Sequence, residues 1–244
     1  ECKMAKLVTI FGGSGFIGTN LVRSLLELNH KVLVVEELDR QPHKFKNIES
    51  LEIVDCIGHD VFIKNLLNEK YKNKIEYIFH LGACSKTTEP DRDYVMDVNL
   101  NYSKKLLEYS ANNNIHLIYA SSASVYGSGN IFSEDPANES SLNHYSESKL
   151  QFDNYVRKNF NKINSQIVGI RYFNVYGPYE QHKEVMSSVI FHFYNQIKDI
   201  GKLKLFRGSH GYSDGEQRRD FVFVKDTIDI KLWFMNNGIS GIYN

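Results

Sequence analysis

The sequence predicts a doubly wound α/β fold, a parallel sheet with helices on both faces, followed by a smaller and less regular lobe. Three observations predict it. A short apolar segment runs directly into a glycine-rich turn and an apolar helix over residues 7–18 (LVTIFGGSGFIG); strand and helix patterns alternate through the first half; and the regularity weakens from about Pro178 onward. Repeated β-α units of this length bury a parallel sheet between two helical layers and leave ligands at the carboxyl ends of the strands.

In chain order, the first strand begins at Leu7. Phe16, Ile17, Leu21, Val22, Leu25 and Leu26 recur at near-helical spacing, which gives a helix over Phe16–Glu27. Lys31–Val35 is a β-branched strand that ends in Glu36 and Glu37. A third short strand is expected at 51–54, a helix of mixed polarity at 61–69, a strand at 77–81, a long helix at 94–113 and a fifth strand at 116–120. A further apolar helix opens at 145–149. Beyond Pro178 the pattern gives a helix at 185–198 and short strands at 203–206 and 221–224, read as a lid or substrate lobe.

Composition bounds the function. The chain has 244 residues, 42% hydrophobic and 24% charged, and its 29 basic side chains balance 29 acidic ones. One large domain with a small second lobe fits these values. The charge balance leaves no footprint for nucleic acid or an anionic membrane, although local clusters can still hold anionic ligands. Cys2, Cys56 and Cys84 lie far apart without a C-x-x-C pair, so neither a disulfide framework nor a metal site is expected, and a reducing cytoplasm is the expected location. The first strand is reached too early for a signal peptide, residues 1–4 read as a leader or expression remnant, and no uncharged run approaches the roughly 18 residues of a membrane span.

The chemistry begins at Gly12, Gly15 and Gly18. A glycine turn between a buried strand and a helix start lets the backbone approach a phosphate, and the free N–H groups of the helix favour an anion, as in a dinucleotide pyrophosphate site. A plain turn is the bland alternative, since the spacing is G-x-x-G-x-x-G rather than G-x-G-x-x-G. Glu36 ends the second strand, where a carboxylate can bond a ribose 2′-hydroxyl and favours NAD; Arg40 and Lys44 in the next loop could pair with a 2′-phosphate, or simply be solvated. Cys84 in HLGACS reads as a small buried residue rather than a nucleophile.

After the fifth strand comes a hydroxyl cluster, Ser121-Ser122-Ala123-Ser124, and then Tyr145-Ser146-Glu147-Ser148-Lys149 at the start of a helix. Tyr145 and Lys149, four apart, share one helix face. An ammonium there is expected to lower the phenol pKa, so that Tyr145 exchanges a proton with a substrate hydroxyl near neutral pH, and the same ammonium can hold a ribose. A surface Tyr–Lys pair is the alternative when the motif is taken alone.

GGSGFIG, SSASVYG, YSESK, RYFNVYGP and RRDFVFVKD together resemble the extended short-chain dehydrogenase/reductase family, the NAD-dependent epimerases and dehydratases of nucleotide sugars, over essentially the whole chain. The resemblance implies a Rossmann domain over 1–172 with tightly held NADP (NAD possible). It also implies a substrate-binding lobe mainly over 173–244, interleaved with that domain and shorter at its end than in the family. HLGACSKTTE and LWFMNNGISGIYN narrow the implied activity to C6 epimerisation of an ADP-linked heptose. Interconversion of its D-glycero- and L-glycero-D-manno forms would supply lipopolysaccharide core precursors, with self-association and no membrane or nucleic-acid partner.

Residue by residue, the resemblance puts Gly12, Gly15, Phe16, Ile17, Gly18, Glu36, Glu37, Lys44 and Val175 against the cofactor. Leu81, Gly82, Ala83, Cys84 and Ser85 border its adenine side and ribose. Ser122, Tyr145 and Lys149 become the reaction centre, Lys149 also holding the cofactor, and Lys183 a second acid/base whose bland reading is a surface lysine. Asn174, His192, Phe206, Arg207, Gly208, Ser209 and Arg219 join Ser122 in binding substrate. Departures from the family pattern are Glu36-Glu37 for Asp-Asn, His59 for a cofactor-contacting Lys, Val185 for a substrate-contacting Ser, and a longer 210–218 loop. A 4-epimerase, which needs no Lys183, is the enzymatic alternative. A dehydratase is disfavoured because Ala123 and Ser124 stand where an Asp-Glu pair is needed, and a non-catalytic nucleotide sensor would not need Ser122, Tyr145 and Lys149.

Overall fold

The computed structural model describes residues 7–37, 42–71, 73–209 and 211–244, with Leu67 described by its backbone alone. Cys2 and Arg40 lie outside the described residues. The first half runs β1 (Leu7–Phe11), α1 (Phe16–Glu27), β2 (Lys31–Val35), β3 (Asp55–Ile57), α2 (His59–Leu67), β4 (Ile75–His80), α3 (Arg92–Met96), α4 (Tyr102–Asn112) and β5 (His116–Ser122). The second runs α5 (His144–Asn159), β6 (Ile167–Tyr172), β7 (Asn174–Tyr176), α6 (Val189–Ile200), β8 (Phe221–Phe223), α7 (Val224–Asn237) and β9 (Gly241–Tyr243). Seven strands form one sheet in the order β3-β2-β1-β4-β5-β6-β9, every pairing parallel, while β7 and β8 form a separate parallel pair.

Alternation along the strands feeds two cores. On β2, Leu33 and Val35 face a cluster with Phe62 of α2, Leu106 and Leu107 of α4, and Phe152 and Val156 of α5. Val32 and Val34 face the opposite cluster with Leu21, Val22 and Leu25 of α1, and Ile228, Phe234 and Met235 of α7. A strand buried on both faces reads as a continuous apolar run, which is why KVLVV was legible as a strand. The site therefore lies where the topology directs it. The sheet reverses its winding between β1 and β4, and the carboxyl ends of these two strands open a crevice.

Several expectations are corrected. The third strand is Asp55–Ile57, not 51–54; it is the sheet edge, pairing Leu33 with Asp55, and its partly exposed residues carry no alternating pattern to read. The long helix expected at 94–113 starts earlier, where the Asp91 carboxylate accepts from the Tyr94 N–H, and is interrupted by a π-helical turn at Asp97–Asn101. The helix expected at 185–198 begins only at Val189, after Ser188 caps it by accepting from the Phe191 N–H; residues 181–186 form a 3-10 turn instead. Residues 203–206 form no strand, and Lys204 donates its N–H to the Gln196 side chain. Strands β6, β7 and β9 and helix α7 were not anticipated as elements.

Candidate active site

The glycine turn is built by contact rather than by flexibility alone. Gly12 has φ +76°, and a Cβ on it would lie 2.7 Å from the Gly82 nitrogen; a Cβ on Gly18 would lie 2.0 Å from the Gly12 carbonyl oxygen. The backbones after β1 and β4 thus touch, and α1 is seated on the turn. Gly15 is the N-cap of α1, with no side-chain cap and no acidic residue in the first turn, so the helix start offers its N–H groups to an anion. Such a cradle, closed to any side chain, fits the pyrophosphate of a dinucleotide.

Around the cradle, Glu36 turns toward the glycine turn. Its Oε2 accepts from the Ser14 hydroxyl at 2.6 Å and the Ser14 N–H at 3.3 Å, and its Oε1 accepts from the Glu37 N–H at 3.2 Å. Glu37 lies 3.7 Å from His59 Nδ1, and His59 stacks on Tyr102 with ring centroids 4.9 Å apart. Burial lowers the His59 pKa against the pull of the Glu37 carboxylate. Lys44 sits in a 3-10 turn, Pro42–Asn47, that is tied to the glycine turn by Asn47 Nδ2 donating to the Ser14 carbonyl at 3.0 Å. Burial and then the charges of Lys44, Lys183 and His43 push His182 down to about 4. Lys44 and Lys183 therefore gather next to the start of α1 around a His182 that their charge and its burial keep neutral.

Ser122, Tyr145 and Lys149, expected to share one site, come together at the carboxyl end of β5. Ser122 ends the strand, and its Oγ accepts from the Ser124 N–H at 3.2 Å and the Ser124 hydroxyl at 2.9 Å. Asn143 caps α5 by a reciprocal box with Ser146, which fixes the first turn that carries Tyr145. Lys149, buried, donates to the Ala120 carbonyl at 2.8 Å and sits 5.9 Å from the centre of the Tyr145 ring. Burial pulls Lys149 down to about 8, against the nearby Asp153 carboxylate.

One expectation about this trio is corrected. The Tyr145 phenol is raised, not lowered: burial raises it most, its hydrogen bond with Ser122 pulls it down, and Cys84 pushes it up. Lys149 does not offset that burial, since its ammonium donates to the Ala120 carbonyl and lies 5.9 Å from the centre of the Tyr145 ring.

Two groups that sequence reading missed hold this centre. Asn99, in the π-helical turn, accepts from the Cys84 N–H at 2.8 Å and donates to the Cys84 carbonyl at 3.1 Å and to Ser148 Oγ at 3.1 Å, so it ties the loop after β4 to α5. An Asn inside a helical pattern was the available signal. Asp153, one turn after Lys149, accepts from Ser121 Oγ and Tyr119 Oη at 2.9 Å each and from Arg171 at 3.0 Å. Arg171 also donates to Tyr126 Oη at 2.8 Å and to Glu139, itself paired with Arg157. This buried network braces β5, α5 and β6 directly behind Ser122 and Lys149.

The remaining residues spread outward. Leu81, Gly82, Ala83 and Cys84 line the crevice after β4 half-buried, with Ser85 exposed. Asn174 donates through N–H and Nδ2 to the Asp220 carbonyl, which joins β7 to the approach of β8, and Val175 follows it half-buried. Lys183, half-buried, holds its ammonium 5.6 Å above the Phe16 ring; burial lowers its pKa, opposed by Glu180 and aided by Lys44. His192 lies in the first turn of α6. Phe206, Arg207, Gly208 and Ser209 are exposed on a loop pinned by Gly208 N–H donating to Asp214 at 2.6 Å, and Arg219, also exposed, donates to the Arg218 carbonyl. Val185 is 86% exposed. Among the described residues no cluster of His, Cys, Asp and Glu could hold a metal, and no helix is long and apolar enough to cross a membrane.

Comparison with known proteins adds three findings. The profile of the NAD dependent epimerase/dehydratase family matches residues 8–244. Proteins named ADP-L-glycero-D-manno-heptose-6-epimerase are 46% identical over 243 residues in Alkalilimnicola ehrlichii (98% of this chain, 75% of that protein) and 44% identical over 242 in Thiobacillus denitrificans (99% and 73%). The crystal structure of the Helicobacter pylori protein of the same name superposes with a TM-score of 0.85 at 34% identity, covering 98% of this chain and 76% of that one.

Proposed function

The chain belongs to the NAD dependent epimerase/dehydratase family, and from that premise we propose that it interconverts ADP-D-glycero- and ADP-L-glycero-D-manno-heptose at C6. The observation that carries the reading is the meeting of Ser122, Tyr145 and Lys149 at the end of β5, beside a glycine crevice closed to side chains. The C6 hydrogen has no carbonyl beside it, so its removal as a proton gives no stabilised anion, and transient oxidation at that carbon is the open route. A nicotinamide dinucleotide, when bound, supplies that oxidation and its reversal within the site, so product formed in deuterated water carries no solvent deuterium at C6.

The chain's own groups handle the protons. Tyr145 accepts the proton of the C6 hydroxyl, and the Ser122 hydroxyl bonds the same oxygen and stabilises the phenolate, the direction in which it already pulls the Tyr145 pKa. Lys149, with a pKa near 8, adds positive charge beside Tyr145 and can hold a ribose hydroxyl. The C6 ketone is exocyclic, so rotation about C5–C6 presents its other face, and Lys183, its ammonium made more acidic by burial, serves the relocated oxygen. Arg219, a planar fork of donors on the outer lobe, anchors the ADP phosphates, with His192 and residues 206–209 around the sugar.

For the cofactor we read NADP rather than NAD. Glu36 is engaged by Ser14, while Lys44 and Lys183 gather positive charge beside the turn, which favours a 2′-phosphate. The division into a cofactor domain over 1–172 and a substrate lobe mainly over 173–244 belongs to the same reading. So do self-association and a cytoplasmic location, the latter supported by the free thiols of Cys56 and Cys84.

Purified protein incubated with ADP-heptose and, separately, with UDP-galactose tests the substrate. Turnover of ADP-heptose alone is expected, with NADP released on denaturation. Turnover of UDP-galactose instead would replace the reading by a 4-epimerase, and finding no dinucleotide would remove the enzyme. Tyr145→Phe and Lys183→Met are each expected to abolish epimerisation with the dinucleotide still bound.

A further inference from the structure

We propose that Glu180 is a positioning residue for Lys183, its carboxylate clasping both ends of the 177–188 loop and so holding the Lys183 ammonium over Phe16. The inference rests on the acid/base reading of Lys183. Glu180 is 2% exposed. Its Oε1 accepts from the Gly177 N–H at 3.1 Å and the Ser188 hydroxyl at 2.9 Å, and its Oε2 from the Ser188 N–H at 2.6 Å. Its backbone carbonyl accepts from the Lys183 N–H and the Ser187 hydroxyl, each at 2.9 Å. One buried residue thus joins the exit of β7, the turn bearing Lys183 and the N-terminus of α6.

The loop it closes is held against backbone preference. Tyr179 at φ +72° and Glu184 at φ +49° are left-handed without being glycine, a cost that persists only where surrounding contacts over-determine the conformation. On the opposite side α1 latches the same loop. Asn20 Nδ2 donates to the Pro178 carbonyl at 3.0 Å, and the Arg23 guanidinium lies 4.8 Å over the Tyr179 ring. A neutral amide could not replace the carboxylate, because its NH2 group cannot accept from the donors that face it. A buried carboxylate is costly unless donors meet its oxygens, and here three donors from both ends of the loop do so. The groups facing Lys183 are Glu180 on its own loop, His182 beside it, Lys44 from the 3-10 turn and the Phe16 ring from α1. Glu180 is the carboxylate that opposes burial and Lys44 there.

The test compares Glu180→Gln, Glu180→Asp and Lys183→Met in the dinucleotide-bound protein, reading kcat and KM against pH together with acetylation of Lys183 by acetic anhydride. Glu180→Gln is expected to lower kcat about ten- to a hundredfold with KM nearly unchanged, since misplacing an acid/base group is felt only in the transition state. It is also expected to move the pH at which Lys183 loses its proton downward, in both the rate profile and the acetylation profile. Where Glu180→Gln does not fold, Glu180→Asp, one methylene short but still charged, is expected to lower kcat without that pH shift. Wild-type kcat with unshifted profiles in Glu180→Gln, or wild-type kcat in Glu180→Asp, overturns the proposal while an inactive Lys183→Met leaves the role of Lys183 standing. Near-normal turnover of Lys183→Met overturns that role itself, and the proposal with it.

Discussion

A buried lysine with its pKa near 8 is a group the fold tolerates for its chemistry. Lys149 keeps its ammonium at one carbonyl and within the reach of Asp153, and burial still makes the charged form unfavourable. Its folded pKa lies below the unfolded value, so the unfolded chain holds the proton more tightly, and the penalty is fully present below about pH 8 and relieved as pH rises toward 10.5. Lys149→Met is therefore expected to be inactive yet more stable than the wild type by roughly 1–3 kcal/mol at pH 7, the gain shrinking above pH 8; urea unfolding at both pH values measures it. His80 has the same sign in a lower pH window. Burial, Lys149 and His59 hold it neutral down to about 3, with Nε2 2.7 Å from Ser103 Oγ. The unfolded chain takes up the proton below about 6.5, so stability falls with pH through that window by up to about 1.4 kcal/mol per unit from this group. Unfolding midpoints between pH 7 and 4 should show that slope, flattened in His80→Gln.

At the scale of elements, the glycine turn and α1 form one unit. Gly18→Ala would drive a methyl group to within 2.0 Å of the Gly12 carbonyl oxygen, so α1 must lift off the turn. Loss of the bound dinucleotide and a destabilisation of about 2 kcal/mol or more are expected, read by absorbance of the purified protein and thermal melting. This unit was the most legible part of the sequence, because strand period, glycines and helix period all agree within residues 7–27. The π-helical turn around Asn99 was not legible. Its ladder differs from a helix by one hydrogen-bond step, and nothing in DVNLN alters the apolar period enough to betray it. The Tyr145–Lys149 spacing correctly put both residues on one helix face. It could not tell that the ammonium turns to Ala120 rather than to the phenol, since that depends on where β5 ends relative to α5.

Across the molecule, the Arg171 network links layers that local patterns treat as independent. Arg171 and Asp153 are fully buried and lie 18 positions apart in sequence, and Glu139 and Tyr126 complete the knot from the loop after β5. Sequence reading passed over all four, because an Arg within an apolar strand signals nothing until its carboxylates are placed. Arg171→Met should cost about 3–5 kcal/mol in denaturant unfolding by leaving Asp153 buried without its cation, while Glu139 keeps Arg157. The outer lobe was the least legible, since its loops are fixed by side-chain contacts such as Gly208 to Asp214 rather than by periodicity. The packing of α7 against α1 joins one of the last helices to the first. On the ribosome that order becomes a delay. At about 5–20 residues per second, some ten to forty seconds separate the emergence of α1 from that of the helix that shields it. Through that interval the apolar face shared by Leu21, Val22 and Leu25 waits half-covered, so the nascent chain, rather than the finished enzyme, is where this protein most needs a chaperone.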